Sequence, residues 1–350
     1  MNICMLSMKG NFNKDIGQGV QTYNYQIYRN VALFAPRAYS IDKIELGLGS
    51  NPITRKISFT ISTAFHDFSK YDIVHMPCPI MYNPRCKATV TTLHELFLLS
   101  ENHPLRARNT SHTIADNISA FIGKKIMEQI SASDYLMANS TQTALEARST
   151  GYPRDRIFIV NHAIDNKFTE KPLCNKTNKN RTFRIGYLGG MHARKNAAFA
   201  IKAFSWLEGN YTFELWGKNP SAELQALASG DKRVRFRGFA SESHKLDIYD
   251  SFDAFVFPSY YEGFGLEVLE AQSRGLPVVI YKKAIIPKEV RKYCFEAEDE
   301  SHMAQIISDI KLNGYSNKLR NKATVYARSF TWKRCAEETI AAYKDIMKRK

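Results

Sequence analysis

Twice along its 350 residues the chain alternates short apolar runs with longer amphipathic segments, and that repeated alternation restricts the fold more than any other feature. In the first half, Asn2–Ser7, Ser40–Leu46, Asp72–Met76, Lys87–Leu93, Tyr135–Asn139 and Arg156–Val160 read as buried strands. Between them, Val20–Phe34 and Ile114–Ile130 keep apolar residues at helical spacing; in the second, Lys124 and Lys125 face away from the apolar stripe. A polar tract at 166–181, with Lys171-Pro172 and Asn175-Lys-Thr-Asn-Lys-Asn180, interrupts the pattern and reads as a linker. The alternation resumes with strands at Phe183–Leu188, Thr212–Trp216, Val234–Gly238, Ala254–Pro258 and Pro277–Tyr281, and closes on a helical pattern from Thr331 to Met347. Strands alternating with helices make a parallel sheet covered on both faces. The expectation is an α/β protein of two doubly wound, Rossmann-like domains, 1–168 and 169–329, joined near 166–181 and followed by a helix at 330–350. Ligands in such sheets bind beyond the carboxyl ends of the strands, here in a cleft between the domains.

Length and a hydrophobic content of 44% fit two globular cores. No apolar run reaches the roughly 18 residues of a membrane span, and Met1–Met8 reads as a first strand rather than a signal segment. Cys4, Cys78, Cys86, Cys174, Cys294 and Cys335 include no Cys-x-x-Cys pair, so neither a zinc site nor a redox motif is expected. Unpaired cysteines point to a reducing, cytoplasmic setting. The net charge of +15 attracts anions. No nucleic-acid motif accompanies it, which leaves a solvated basic surface, a phosphorylated substrate or peripheral contact with an anionic membrane face as the readings of that charge.

Chemistry concentrates where predicted strands meet loops. After Asp253-Ala-Phe-Val-Phe-Pro-Ser comes Glu262-Gly-Phe-Gly-Leu-Glu-Val-Leu-Glu270. Glycines there let a ligand approach the backbone, and the free N–H groups of the helix start favour a phosphate. Glu270 lies five residues beyond Gly265, roughly 7–8 Å of helix and about the reach from a diphosphate to a ribose edge. Glu262 precedes the helix as an extra carboxylate, and Glu267 reads as a first-turn acid matched to the helix dipole. In Gly189-Gly-Met-His-Ala-Arg-Lys-Asn196, the cations Arg194 and Lys195 sit near a helix start, where the dipole does not favour them and a ligand anion would. The loop with Gly17 and Gly19 is a further phosphate-facing turn that lacks a third glycine or a Walker lysine. His94, in Thr91-Thr-Leu-His94-Glu95, ends a strand where an imidazole can bind or move a proton, and His75 ends another.

In this order these residues resemble the family-4 retaining glycosyltransferases of the group 1 class, which have the two-domain GT-B fold. The most specific match is Phe257–Val279, with its two glutamates separated by seven residues. Gly186-Tyr-Leu-Gly-Gly with Arg194-Lys-Asn196 resembles the diphosphate-clamping segment. Asp72-Ile-Val-His75, Leu93-His-Glu95 and Gly19-Val-Gln-Thr-Tyr23 resemble the N-terminal landmarks, and Phe330-Thr-Trp332 the start of a final helix that crosses back. The chain departs from the pattern at Gly189-Gly190, where many members have Gly-Arg, and at Glu267, where a proline is usual. The resemblance implies transfer of a hexose from a UDP- or GDP-linked donor to a saccharide, lipid-linked or small-molecule hydroxyl, with no cofactor and no metal. It assigns Glu270 to the ribose and Glu262 to the donor sugar. Gly263, Phe264, Gly265 and Leu266 would present backbone groups, and Arg194 and Lys195 would neutralise the leaving diphosphate. Gly19 or Gly17 would face the diphosphate, His94 the reacting carbon and Phe239 the base. The alternatives are another GT-B enzyme, an epimerase or a phosphorylase, and a basic nucleotide- or nucleic-acid-binding module.

Overall fold

The computed structural model describes residues 1–10, 19–48, 52–80, 82–96, 114–173 and 182–350. They form two units, one of Met1–Ala163 with Trp332–Lys350 and one of Ile164–Thr331. The first contains β1 (Asn2–Met8), α1 (Val20–Phe34), β2 (Ser40–Leu46), α2 (Pro52–Phe65), β3 (Ile73–Met76), β4 (Ala88–Leu93), α3 (Ile114–Ala132), β5 (Tyr135–Ala138), α4 (Thr141–Ser149) and β6 (Ile157–Ile159). Its strands run parallel in the order β2-β1-β3-β4-β5-β6.

The second contains α5 (Asn166–Glu170), β7 (Phe183–Leu188), α6 (Ala197–Ser205), β8 (Tyr211–Trp216), α7 (Ala222–Ala228), β9 (Val234–Gly238), α8 (Lys245–Ser251), β10 (Ala254–Phe257), α9 (Leu266–Ser273), β11 (Val278–Tyr281), α10 (Lys288–Arg291), β12 (Phe295–Ala297), α11 (Glu300–Asn313) and α12 (Asn317–Arg328). Its sheet is also parallel, in the order β12-β11-β10-β7-β8-β9. The chain order therefore reverses between β7 and β10, which is where open α/β sheets place their ligands. At that central position Gly186 has no room for a side chain, since a Cβ would lie 2.1 Å from the Phe252 ring. The edge strand β12 has only three residues, too few for a period to be visible in the sequence.

The chain passes between the units at residues 163–164, five residues before the boundary expected from composition. The tract predicted as a linker is not one where it is described. Asp165 caps α5 through the Lys167 N–H, and Phe168 is completely buried in the second core. Arg274 donates to the carbonyls of Lys171 and Pro172, and Arg328 also donates to Lys171. One aromatic residue and two arginines hold a segment whose average composition is that of a loop. The rest of the tract, 174–181, lies outside the described residues.

The final helix, α13 (Trp332–Arg349), belongs to the first unit. Its Trp332, Cys335, Ala336, Ile340, Tyr343 and Ile346 share a core with Tyr23, Ile27 and Val31 of α1. His75 fastens it, with Nδ1 at 2.5 Å from the Tyr343 hydroxyl and Nε2 at 2.7 Å from Thr92 Oγ1. A strand-end histidine that the sequence marks for caution is thus a completely buried pin. Burial, with a contribution from His94, pushes its pKa down to about 3.

A histidine depressed in the folded state binds its proton first in the unfolded chain. Stability is therefore complete above about pH 6.5 and falls as the pH drops toward the folded value, with a limiting slope of roughly 1.4 kcal/mol per pH unit for each such group. Thermal melts of the first unit's transition between pH 7.5 and 5 should show this loss, and His75→Gln should reduce it. A melting temperature that is flat over that range would contradict the assignment.

Candidate active site

The loop after β7 and the loop after β10 are sewn together by the backbone. Tyr260 N–H donates to the Arg194 carbonyl at 2.9 Å, and Asn196 Nδ2 donates to the Pro258 carbonyl at 3.1 Å. Asn196 takes a left-handed conformation, φ 52°, which an asparagine tolerates better than most side chains. A tight turn at Ala193–Lys195 thereby presents Arg194 and Lys195 to the start of α9. That start is made by Gly265 at φ 102°, and a Cβ there would touch Val290 and Phe257.

Four of the marked residues come together here. Lys195 Nζ lies 2.9 Å from Glu262 Oε1 and 3.3 Å from Glu267 Oε1, and stands over the Phe257 ring at 5.2 Å. Arg194 Nη1 donates to the Tyr261 carbonyl at 2.9 Å and reaches Glu262 Oε2 at 3.4 Å. Lys195 and Glu262 are both buried. Burial works against the charge on Lys195, but Glu267 and then Glu262 overcome it and hold its pKa above the ordinary value. Burial likewise resists the charge on Glu267, and Lys195 more than compensates, lowering its pKa. Glu267 is therefore more than a dipole-matching acid; it is the second partner of Lys195.

Glu270 makes a separate arrangement one turn along α9. Its Oε2 accepts from the Tyr249 hydroxyl at 2.8 Å, and its Oε1 lies 3.6 Å from Lys245 Nζ, which also pairs with Glu242 at 2.7 Å. Burial raises the Glu270 pKa, Glu267 and Glu242 add to this, and Lys245 opposes them. Lys245 and Tyr249 escaped sequence reasoning. Their one signal is helical spacing that puts both on a single face of α8, and nothing local joins that face to Glu270.

Other marked residues fall elsewhere. Gly263 and Phe264 are buried, and Phe264 packs edge-on against Phe330, so its side chain belongs to the core while Leu266 opens α9. Phe239 is 47% exposed beneath Lys218 Nζ, 4.1 Å from its ring centre. Gly19, in the first unit, precedes α1 with φ 66°, and no atom of the described residues lies within 4 Å of where its Cβ would stand. Gly17 lies outside the described residues. His94, also in the first unit, is fully engaged by protein groups. Its Nε2 is 2.8 Å from the Pro77 carbonyl, which can only accept, so Nε2 carries the proton. Its Nδ1 then accepts from His162 Nε2 at 2.9 Å. Burial, only partly offset by the Pro77 carbonyl, takes the His94 pKa down to about 4. Both ring nitrogens of His94 are therefore engaged by protein groups. Among the described residues no group of His, Cys, Asp and Glu is arranged to hold a metal ion.

Residues 182–312 match the family described as Glycosyl transferases group 1. O-antigen chain mannosyltransferase B of Escherichia coli is 26% identical over 303 residues, 80% of this chain and 76% of that protein. Among solved structures, sucrose-phosphate synthase from Thermosynechococcus elongatus aligns with TM-score 0.70 at 17% identity over all of both chains. HepE from Anabaena, in complex with UDP and glucose, aligns with TM-score 0.67 at 16% identity, covering 99% of this chain and 100% of that one. At these identities the likeness establishes the fold, GT-B. The group 1 match spans β7 to α11 and so contains every carboxylate and cation of the site.

Lys245→Ala should destabilise the second unit by about 3 kcal/mol, because it leaves Glu270 without its cation. Glu270 already has a raised pKa, so its favourable protonated form is lost as the pH rises through the folded value. The defect should therefore be larger at pH 8 than at pH 5 in urea denaturation. An equal loss at both would show that the lysine does not act through Glu270.

Proposed function

We propose that the protein is a retaining, family-4-type glycosyltransferase. It would transfer a hexose from a UDP- or GDP-linked sugar to a hydroxyl of a saccharide or lipid-linked acceptor, without a divalent metal. One observation carries this reading: Arg194, Lys195, Glu262 and Glu267 meet at the start of α9, beside the β7–β10 reversal, with Glu270 farther along the same helix. A diphosphate held there meets the cations and the free N–H groups of α9, while Glu270 is placed for a ribose. The mannosyltransferase relative and the UDP- and glucose-bound structural neighbour support the substrate class.

The two cations are balanced by Glu262 and Glu267. The reading therefore requires an exchange of partners. Donor phosphate takes over Arg194 and part of Lys195, and Glu262 is released to accept hydrogen bonds from sugar hydroxyls. As the glycosidic C–O bond breaks, charge grows on the diphosphate, and preorganised cations stabilise that charge by several kcal/mol.

The test is release of nucleoside diphosphate from UDP- and GDP-hexoses in the presence of a saccharide acceptor. Turnover should persist undiminished in excess EDTA, and the product should keep the anomeric configuration of the donor sugar by proton NMR. Lys195→Ala or Glu262→Gln should lower kcat by roughly 100-fold or more while the melting transition remains cooperative. Activity abolished by EDTA and restored by magnesium, or near-normal kinetics in the folded Lys195→Ala variant, would overturn the clamp.

The charge of +15 supports a peripheral site of action on an anionic membrane. No helix among the described residues is long and apolar enough to cross one. Co-flotation with phosphatidylglycerol vesicles at low salt, lost at high salt, is the expected result; absence of binding at low salt would remove the membrane reading.

A further inference from the structure

At the opposite end of the second sheet from this site lies a cavity of about 340 Å³. It is lined by residues at the starts of strands and the ends of helices: Phe183, Asp253, Arg274, Lys311, Tyr315 and Arg320 among them. Three cations thus face one carboxylate. Two of the cations are already committed. Arg274 is paired through Nε and Nη2 with the two oxygens of Asp250, at 2.7 and 2.9 Å, and also donates to the Lys171 and Pro172 carbonyls. Lys311 donates to the Asn210 carbonyl at 3.1 Å and sits over the Tyr211 ring.

Arg320 differs. Its buried Nε has no hydrogen-bond partner, and no carboxylate among the described residues pairs with it. The Tyr315 hydroxyl, also buried, has none either. Leaving one such donor dry is costly, and native proteins seldom do so at two neighbouring groups without a reason. The backbone makes room for the arginine: Gly275, at φ 73°, would place a Cβ 2.6 Å from Arg320 Nε. Asp253, the one carboxylate of the lining, accepts from the Arg184 backbone N–H at 2.8 Å through Oδ2. Around these donors Phe183, Leu276, Pro277 and Ile310 form an apolar wall.

We propose that this cavity binds a small organic phosphate. The phosphate oxygens would accept from the Arg320 guanidinium and the Tyr315 hydroxyl, and the body of the ligand would lie on the apolar wall. The volume is at the lower end of the range for small-molecule sites, which suits a phosphate monoester and not a complete nucleotide sugar. The guanidinium fork matches a phosphate better than it matches a neutral ligand, and Arg274 and Lys311 add a favourable background charge. A cation is disfavoured by the same three groups. The site is separate from the glycosyl-transfer reading, because it shares none of Arg194, Lys195, Glu262, Glu267 or Glu270.

Phenyl phosphate, a phosphate monoester with an apolar body, is the probe for calorimetric titration. It should bind the wild-type protein and bind Lys195→Ala as well, because the latter alters only the phosphate-attracting loop at the other end of the sheet. Arg320→Gln should weaken binding about tenfold or more, as expected for loss of a charged hydrogen bond, and Arg320→Lys should restore part of it. Tyr315→Phe should weaken it less. Melting curves of each variant separate loss of the ligand from loss of the fold. If Arg320→Gln is folded and binds as tightly as the wild type, or if Lys195→Ala alone abolishes binding, the proposal is wrong.

Discussion

β7 and β10 pair in parallel at the centre of the second sheet, with Ala254 opposite Ile185 and Phe255 opposite Gly186. They are distant in sequence, and the chain leaves their carboxyl ends in opposite directions. Two loops are consequently left side by side. The site depends on this pairing. It brings Arg194 and Lys195, which follow one strand, within reach of Glu262 and Glu267, which follow the other. Gly186 keeps the pairing possible by letting Phe252 pack directly against the strand.

The electrostatics follow from that proximity. A buried ammonium would be expensive alone, and so would either carboxylate. Together they cancel, which keeps Lys195 charged and its pKa high without any ligand. Lys195 is held there by two carboxylates and Arg194 by Glu262 and the Tyr261 carbonyl. Glu270 is different in kind. Its partners are a phenol and a lysine shared with Glu242, and burial leaves its pKa raised. Two glutamates from one sequence segment thus have opposite surroundings on one short helix.

Much of the architecture was legible because buried parallel strands are written as continuous apolar runs. The strands at Ser40–Leu46, Phe183–Leu188 and Val234–Gly238, and the helix Val20–Phe34, have the same limits in sequence and structure. Where the signal was short or averaged, reading failed. The strand Phe295–Ala297 is too brief to show a period. Phe168 was hidden in a polar tract whose mean composition outweighed one anchoring aromatic. Glu262, Arg194 and Lys195 were marked in the sequence because each stands at a strand-to-helix corner, and Glu270 because it follows one of these corners at helical spacing. Glu267 was read only through its own helix, since a first-turn acid has an adequate local explanation. Lys245 and Tyr249 were invisible for the converse reason, their partner lying on a different helix.

The sequence by itself determined the alternation, and with it two parallel α/β units and the corners where a ligand could be met. It could do so because burial on both faces and glycine at a turn are local requirements, each met by the residue concerned and its near neighbours. Only the tertiary structure decided which side chains share a charge. It paired Lys195 with two glutamates, placed Tyr249 and Lys245 on Glu270, turned His75 into the pin of α13 and closed both nitrogens of His94. Those pairings arise from strand order, and strand order is fixed by how whole elements pack, a property that no single segment carries.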